Sequence, residues 1–218
     1  MIKNRIFAKI TGYSLLLMAI IAGFAFGYAF PKIFNPGQLD IVQSNLAGNL
    51  QLYKLMLLAI LIVLLLDLLV SWTLYRYFKN DNKKIALLSS ILRIVYTVIF
   101  GIAAFYLTKN LHPTETSNEI IINNFQLFHS IWSAGLIIFG IHLLLVGILM
   151  KFHTRIPKIL WYLALTAGAS YVVVHFLKLT FSQSDFTRIL EMILALPMAI
   201  GELGLAVWLI FKGGKDYK

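Results

Sequence analysis

The sequence holds no cysteine in 218 residues. Disulfides, thiolate metal sites, cysteine nucleophiles and palmitoyl or lipoprotein-type anchors are therefore excluded. Charge is scarce: Asp, Glu, Lys and Arg make up 13% of the chain, about half the share found in a soluble domain. Histidine is sparse and scattered. His112, His129, His142, His153 and His175 offer neither His-x-x-x-His nor His-Glu-x-x-His spacing, so no local zinc motif exists.

What is abundant is apolar. Sixty per cent of the residues are hydrophobic and the mean hydropathy is +0.83. Those values exclude a soluble globular protein, a disordered tail and a coiled coil. A helix needs about 20 apolar residues to cross the hydrocarbon core. Six runs qualify: 10–30, 53–75, 85–107, 126–150, 158–181 and 189–211. They are continuous rather than alternating, which argues against an outer-membrane barrel. The first run exceeds the usual length of a signal-peptide core, so it reads as an uncleaved span. The expected architecture is all-α, a single polytopic membrane domain over 1–218 with a six-transmembrane-helix bundle.

The charges orient the bundle. With the N-terminus in the cytoplasm, 13 of the 19 basic residues fall on the cytoplasmic side, from Lys3, Arg5 and Lys9 through to Lys212, Lys215 and Lys218. Five fall outside: Lys32, Lys54, Lys109, Lys178 and Arg188. The acids lean the other way, with Asp81 and Asp216 inside and Asp40, Glu115, Glu119, Asp185 and Glu191 outside. The positive-inside pattern predicts a multi-pass protein of the cell (inner) membrane with both termini cytoplasmic. The net charge of +10 then reads as attraction to anionic lipid headgroups, with no nucleic-acid partner. Short cytoplasmic turns make spans 2/3 and 4/5 antiparallel neighbours. The 31–52 loop carries a short interfacial helix around Leu39, Ile41, Val42 and Leu46.

Ionisable residues inside a span are costly and tend to face the bundle interior. Four sit deep: Asp67, Arg93, His142 and Glu202. Asp67 lies nine residues before Arg76, Arg93 nine after Lys84, His142 nine before Lys151 and Glu202 ten before Lys212. All four therefore lie roughly 13–15 Å from a cytoplasmic anchor, forming one midplane layer. Asp67 and Arg93 are the natural ion pair, leaving Glu202 to find His142 or a hydroxyl, or to hold a proton. Supporting residues are Ser71, Ser89, Ser90, Tyr96 and Thr97 on the neighbouring faces. Pro197 and Gly201 lie beside Glu202, where Pro197 is expected to kink the last span. Gly23-x-x-x-Gly27 reads as internal helix packing. His129, Trp132, Tyr171, His175 and Lys178 read as an outer interfacial belt, and His153 as a solvated turn residue.

Several segments together resemble a known family. They include Leu66-Asp67, Leu74-Tyr75-Arg76, the stretch around Arg93, Phe139-Gly-Ile-His142, Ile156-Pro157 with Gly168 and Tyr171, and Gly201-Glu202-Leu-Gly with Trp208. In this order they resemble the bacterial integral membrane family called domain of unknown function 4386. Trp161 departs from the pattern, which expects glycine there. The resemblance implies a polytopic membrane protein and brings no activity, substrate or cofactor with it.

Three functional readings stay open, in this order. The first is a non-catalytic membrane scaffold, sensor or accessory subunit in which the polar layer holds the bundle together. The second is a small proton-coupled transporter or binding protein, with Asp67 or Glu202 carrying a proton and His142 relaying it; a homo-oligomer would suit so small a carrier. The third is an intramembrane metal-dependent hydrolase with Asp67, His142 and Glu202 as ligands. The sequence leans away from an enzyme, points to no catalytic residue or cofactor, and leaves the metal and the ligand open.

Overall fold

The computed structural model describes residues 2–181 and 185–215, with side chains described for 4–181 and 186–215. Of the charge pattern, the side chains of Lys3 and Asp185, and the residues Asp216 and Lys218, lie outside that range. The described residues form helices α1 (Ile2–Ala22), α2 (Phe30–Ile33), α3 (Val42–Gly48), α4 (Leu50–Phe78), α5 (Lys83–Thr108), α6 (Asn118–Phe152), α7 (Lys158–Thr180) and α8 (Asp185–Phe211). A π-helical stretch, Gly23–Ala29, joins α1 to α2, so the three make one continuous first span. Six helices are long and apolar enough to cross a membrane.

Local chemistry sets the helix starts. Asn82 caps α5 through its side-chain oxygen, which accepts from the Ile85 amide at 3.1 Å. Ser117 does the same for α6. Pro157 immediately precedes α7, a position where its missing N–H costs nothing. The helices overrun the apolar runs of the sequence, most clearly in α6, which begins at Asn118. Its polar first turn is anchored by the 31–52 loop: the Gln43 backbone amide donates to Asn118 Oδ1, and Asn118 donates to the Leu39 carbonyl. The short interfacial helix is present as α3, preceded by a 3-10 turn at Leu39–Ile41.

The six spans form a ring in chain order. Each packs on the next, α1 on α4, α4 on α5, α5 on α6, α6 on α7 and α7 on α8, and α8 returns to α1. The α6–α7 crossing is close because glycines face each other. A Cβ on Gly140 would sit 2.7 Å from the Gly168 carbonyl, and the reverse distance is the same. The α1–α8 closure is close at the end that holds both termini, where a Cβ on Gly12 would meet Ile210 at 2.6 Å. Arg5 fastens that closure. Its guanidinium donates to the carbonyls of Leu209, Ile210 and Gly213 at 3.1, 2.6 and 2.6 Å, satisfying the last carbonyls of α8 with a positive charge at the negative end of the helix dipole.

The ring wears its leucines outward. Leu58, Leu61, Leu65, Ile94, Val98 and Phe105 are exposed, with Leu65 at 60%. In water such a surface would associate; against lipid tails it is the required one. Inside are two apolar cores. One is rich in aromatics, and the other, nearer the end that holds both termini, is built on residues such as Leu74, Phe78, Val146 and Leu209. Between them lies a polar layer.

Candidate functional site

The layer is centred on Arg93, which reaches inward from α5 with 1% of its side chain exposed. Its Nε donates to Asp67 Oδ1 of α4 at 2.9 Å, and its Nη2 lies 2.7 Å from the same oxygen as an ion pair, out of line for a second hydrogen bond. Its Nη1 faces His142 Nε2 of α6 and Glu202 Oε1 of α8, both at 3.2 Å. The guanidinium also lies 5.3 Å from the ring centre of Phe139. Four helices are thus held through one side chain. The Asp67–Arg93 pair expected from sequence is present. Glu202, expected on His142 or a hydroxyl, instead shares Arg93 with Asp67.

Hydrogen-bond logic fixes the state of His142. Its Nδ1 lies 2.8 Å from the Ser89 carbonyl, an acceptor only, so Nδ1 carries the proton. Its Nε2 meets a guanidinium N–H, a donor only, so Nε2 is bare. The ring is neutral and both nitrogens are engaged, with Ser89 Oγ 2.9 Å from Nδ1 as well. A proton relayed through His142 would have to break one of these two bonds first. The metal-hydrolase ligand set fails. Asp67, His142 and Glu202 do converge, but on a guanidinium that takes the position an ion would need. No group of three His, Cys, Asp or Glu suited to a metal occurs among the described residues.

The supporting residues divide. Ser89 touches the cluster, and Tyr96 stands on the same wall, its hydroxyl 3.5 Å from Trp132 Nε1. Ser71 and Ser90 bond each other at 2.8 Å as a separate α4–α5 link. Thr97 bonds back to the Arg93 carbonyl, not the guanidinium. Gly201 packs on Ala167 and the Leu163 carbonyl of α7. α8 runs through Pro197 without a break.

The cluster is not sealed in packing. Asp67, Arg93 and Glu202 stand on the wall of a cavity of about 730 Å³ to which every span contributes. Glu202 keeps 24% of its side chain exposed there. Asp67 Oδ2 is buried with no hydrogen-bond partner. The other walls are aromatic. Phe26 stacks on Trp132 with ring centres 4.5 Å apart, Phe100 stacks on Trp132 at 5.4 Å, and Tyr171 meets Phe139 edge-on at 5.2 Å. Trp132 and Tyr171 therefore belong to the interior, not to an outer belt. His175 is also buried. His153 is not a solvated turn residue: it lies 3.0 Å from Asp81 in an ion-pair geometry, and Tyr77 Oη is 3.4 Å from its other nitrogen. Gly23 and Gly27 pack against nothing within 4 Å and instead line the cavity. Trp132, Tyr171 and His175 were missed because periodicity shows that residues share a face but not that the face is inward.

A closed ring of six spans around a buried ion cluster defines a polytopic α-helical membrane protein. The chain belongs to the family described as Domain of unknown function (DUF4386), whose profile matches residues 10–213. An uncharacterized protein of Archaeoglobus fulgidus is 30% identical over 156 residues, covering 72% of this chain and 82% of its own. No solved structure matches.

Proposed function

We propose that the protein is a small-molecule-binding membrane protein acting as a proton-linked carrier, with the midplane cavity as its binding chamber. The observation that supports this reading is Glu202 facing a cavity of about 730 Å³, within the range of ligand-sized pockets. A cluster serving only as glue has no need of a chamber beside it. The π-helical stretch along the chamber wall fits the same reading, since such irregular turns concentrate at functional sites. A single guanidinium balances only one of the two carboxylates, and we assign the exchange to Glu202, the one whose side chain is open to the chamber (24% exposed against 1% for Asp67). The scaffold reading keeps one observation in its favour: Arg93 ties together four helices.

Basic residues cluster at the 76–84, 151–158 and 212–215 ends of the bundle. On that pattern we place both termini in the cytoplasm of a cell-membrane protein whose basic face meets anionic lipids.

Native mass spectrometry of the detergent-purified protein tests the chamber. Wild type should carry a small-molecule adduct that is lost in Gly23→Leu/Gly27→Leu. Leucines there fill the chamber without meeting backbone, because both positions face open space. A bare mass for wild type, with no adduct even after lipid extract is supplied, would return the protein to the scaffold reading.

A further inference from the structure

We propose that the chamber takes a monovalent lipophilic organic cation that enters sideways from the bilayer between the first span and α8. This rests on the chamber being a binding site.

The charge argument comes first. Arg93 is the one basic residue on the chamber wall among the described residues, and it faces two carboxylates. His142 is neutral by its hydrogen bonds. With both acids ionised, the chamber carries one negative charge in excess. An isolated charge in an apolar interior is not tolerated; it takes a proton or a counter-cation. An anion is badly served, because the guanidinium already faces Asp67, His142 and Glu202, and an anion would have to displace one of the acids. A neutral ligand leaves the excess charge unanswered. A cation answers it, and the partnerless Oδ2 of Asp67 adds a second acceptor on the same wall.

The walls complete the match. Phe26, Phe100, Trp132, Phe139 and Tyr171 line the chamber, and aromatic rings attract cations that carry no strong hydration shell. Exchange is balanced one for one: protonated Glu202 releases its proton to water as the cation takes its place beside the carboxylate.

The route follows from where the ring is tight and where it is loose. The first span and α8 press together on the cytoplasmic side, at Gly12–Ile210 and Ala8–Gly213. Farther out, Gly23–Ala29 turns to α4. There Ala19, Gly23 and Gly27 face the chamber from one side and Ala195 and Ala199 from the other, all of them exposed. The outer end is covered by packed rings, with Phe30, Phe34 and Phe125 within 4.7–5.8 Å of one another. The open path is lateral, which suits a ligand that dissolves in lipid.

The test is calorimetric titration of the full chain in lipid nanodiscs. The probes are tetraphenylphosphonium and its anionic counterpart of the same shape, tetraphenylborate. The phosphonium should bind wild type saturably, with the heat differing between Tris and phosphate by the ionisation of one proton. Glu202→Gln and Gly23→Leu should each weaken it by roughly tenfold or more, with melting temperatures near wild type showing that both variants are folded. The borate should not bind. Equal binding of both probes, or unchanged phosphonium affinity in Glu202→Gln, overturns the inference. Borate binding that Gly23→Leu abolishes would overturn the cation while sparing the chamber. Binding of neither probe overturns the cation; if wild type and Gly23→Leu also show identical bare masses, the chamber falls with it.

Discussion

At the residue scale the structure turns on Arg93. Removing one member of a buried ion pair leaves its partners charged and unsolvated, at a cost of about 3–5 kcal/mol, whereas replacing the whole group with apolar residues is often neutral. Arg93→Met should therefore melt well below wild type. Arg93→Met/Asp67→Leu/Glu202→Leu should recover much of the loss. Thermal unfolding in nanodiscs checks this, and equal melting of wild type and the single variant would show that the cluster contributes nothing to stability. Ser89→Ala makes a finer test. The serine hydroxyl is one of two groups on His142 Nδ1, and the Ser89 carbonyl remains, so the loss should stay within about 1 kcal/mol. A loss as large as that of His142→Ala would mean that the hydroxyl, not the carbonyl, sets the ring. The shared level of the four polar residues was legible by counting from the Lys and Arg at the span ends, because a helix converts residue number into height. The second partner of Arg93 was not legible, since counting gives height but not which helices stand opposite one another.

At the element scale the glycines carry the lesson. Gly23 and Gly27 have the sequence spacing of a packing motif, yet nothing faces them. Gly140 and Gly168 have no shared local pattern, being on different helices, yet each meets the carbonyl of the other. Gly140→Ala and Gly168→Ala should each cost roughly 1–3 kcal/mol by forcing α6 and α7 apart. Gly23→Ala and Gly27→Ala should leave the melting temperature almost unchanged. The reverse ranking in a thermal scan would refute the helix arrangement. Spacing within one helix reports a face; it carries no information about what that face meets. The helix ends were blurred for a different reason. Hydropathy stops at the first polar residues, but α6 continues to Asn118 because the 31–52 loop supplies hydrogen bonds to that turn.

At the scale of the whole molecule, the six spans and their order could be read from hydropathy, while the closure of the ring could not. The orientation is open to a direct measurement, because a chain without cysteine needs no background removed. Lys83→Cys should react with a membrane-impermeant maleimide only in inverted vesicles, and Glu115→Cys only in right-side-out ones. The opposite pattern would reverse the topology proposed here.

Arg5 gives the molecule a sense of time. Its acceptors, Leu209, Ile210 and Gly213, lie more than 200 residues further along the chain, so they leave the ribosome after the other five spans described above. Until then the first helix has only one flank covered, and Asp67 and Arg93 look out through the gap where Glu202 has yet to arrive. A chain cut short before its last helix is an open arc with bare charge toward the lipid. Only the arrival of α8 removes that mark.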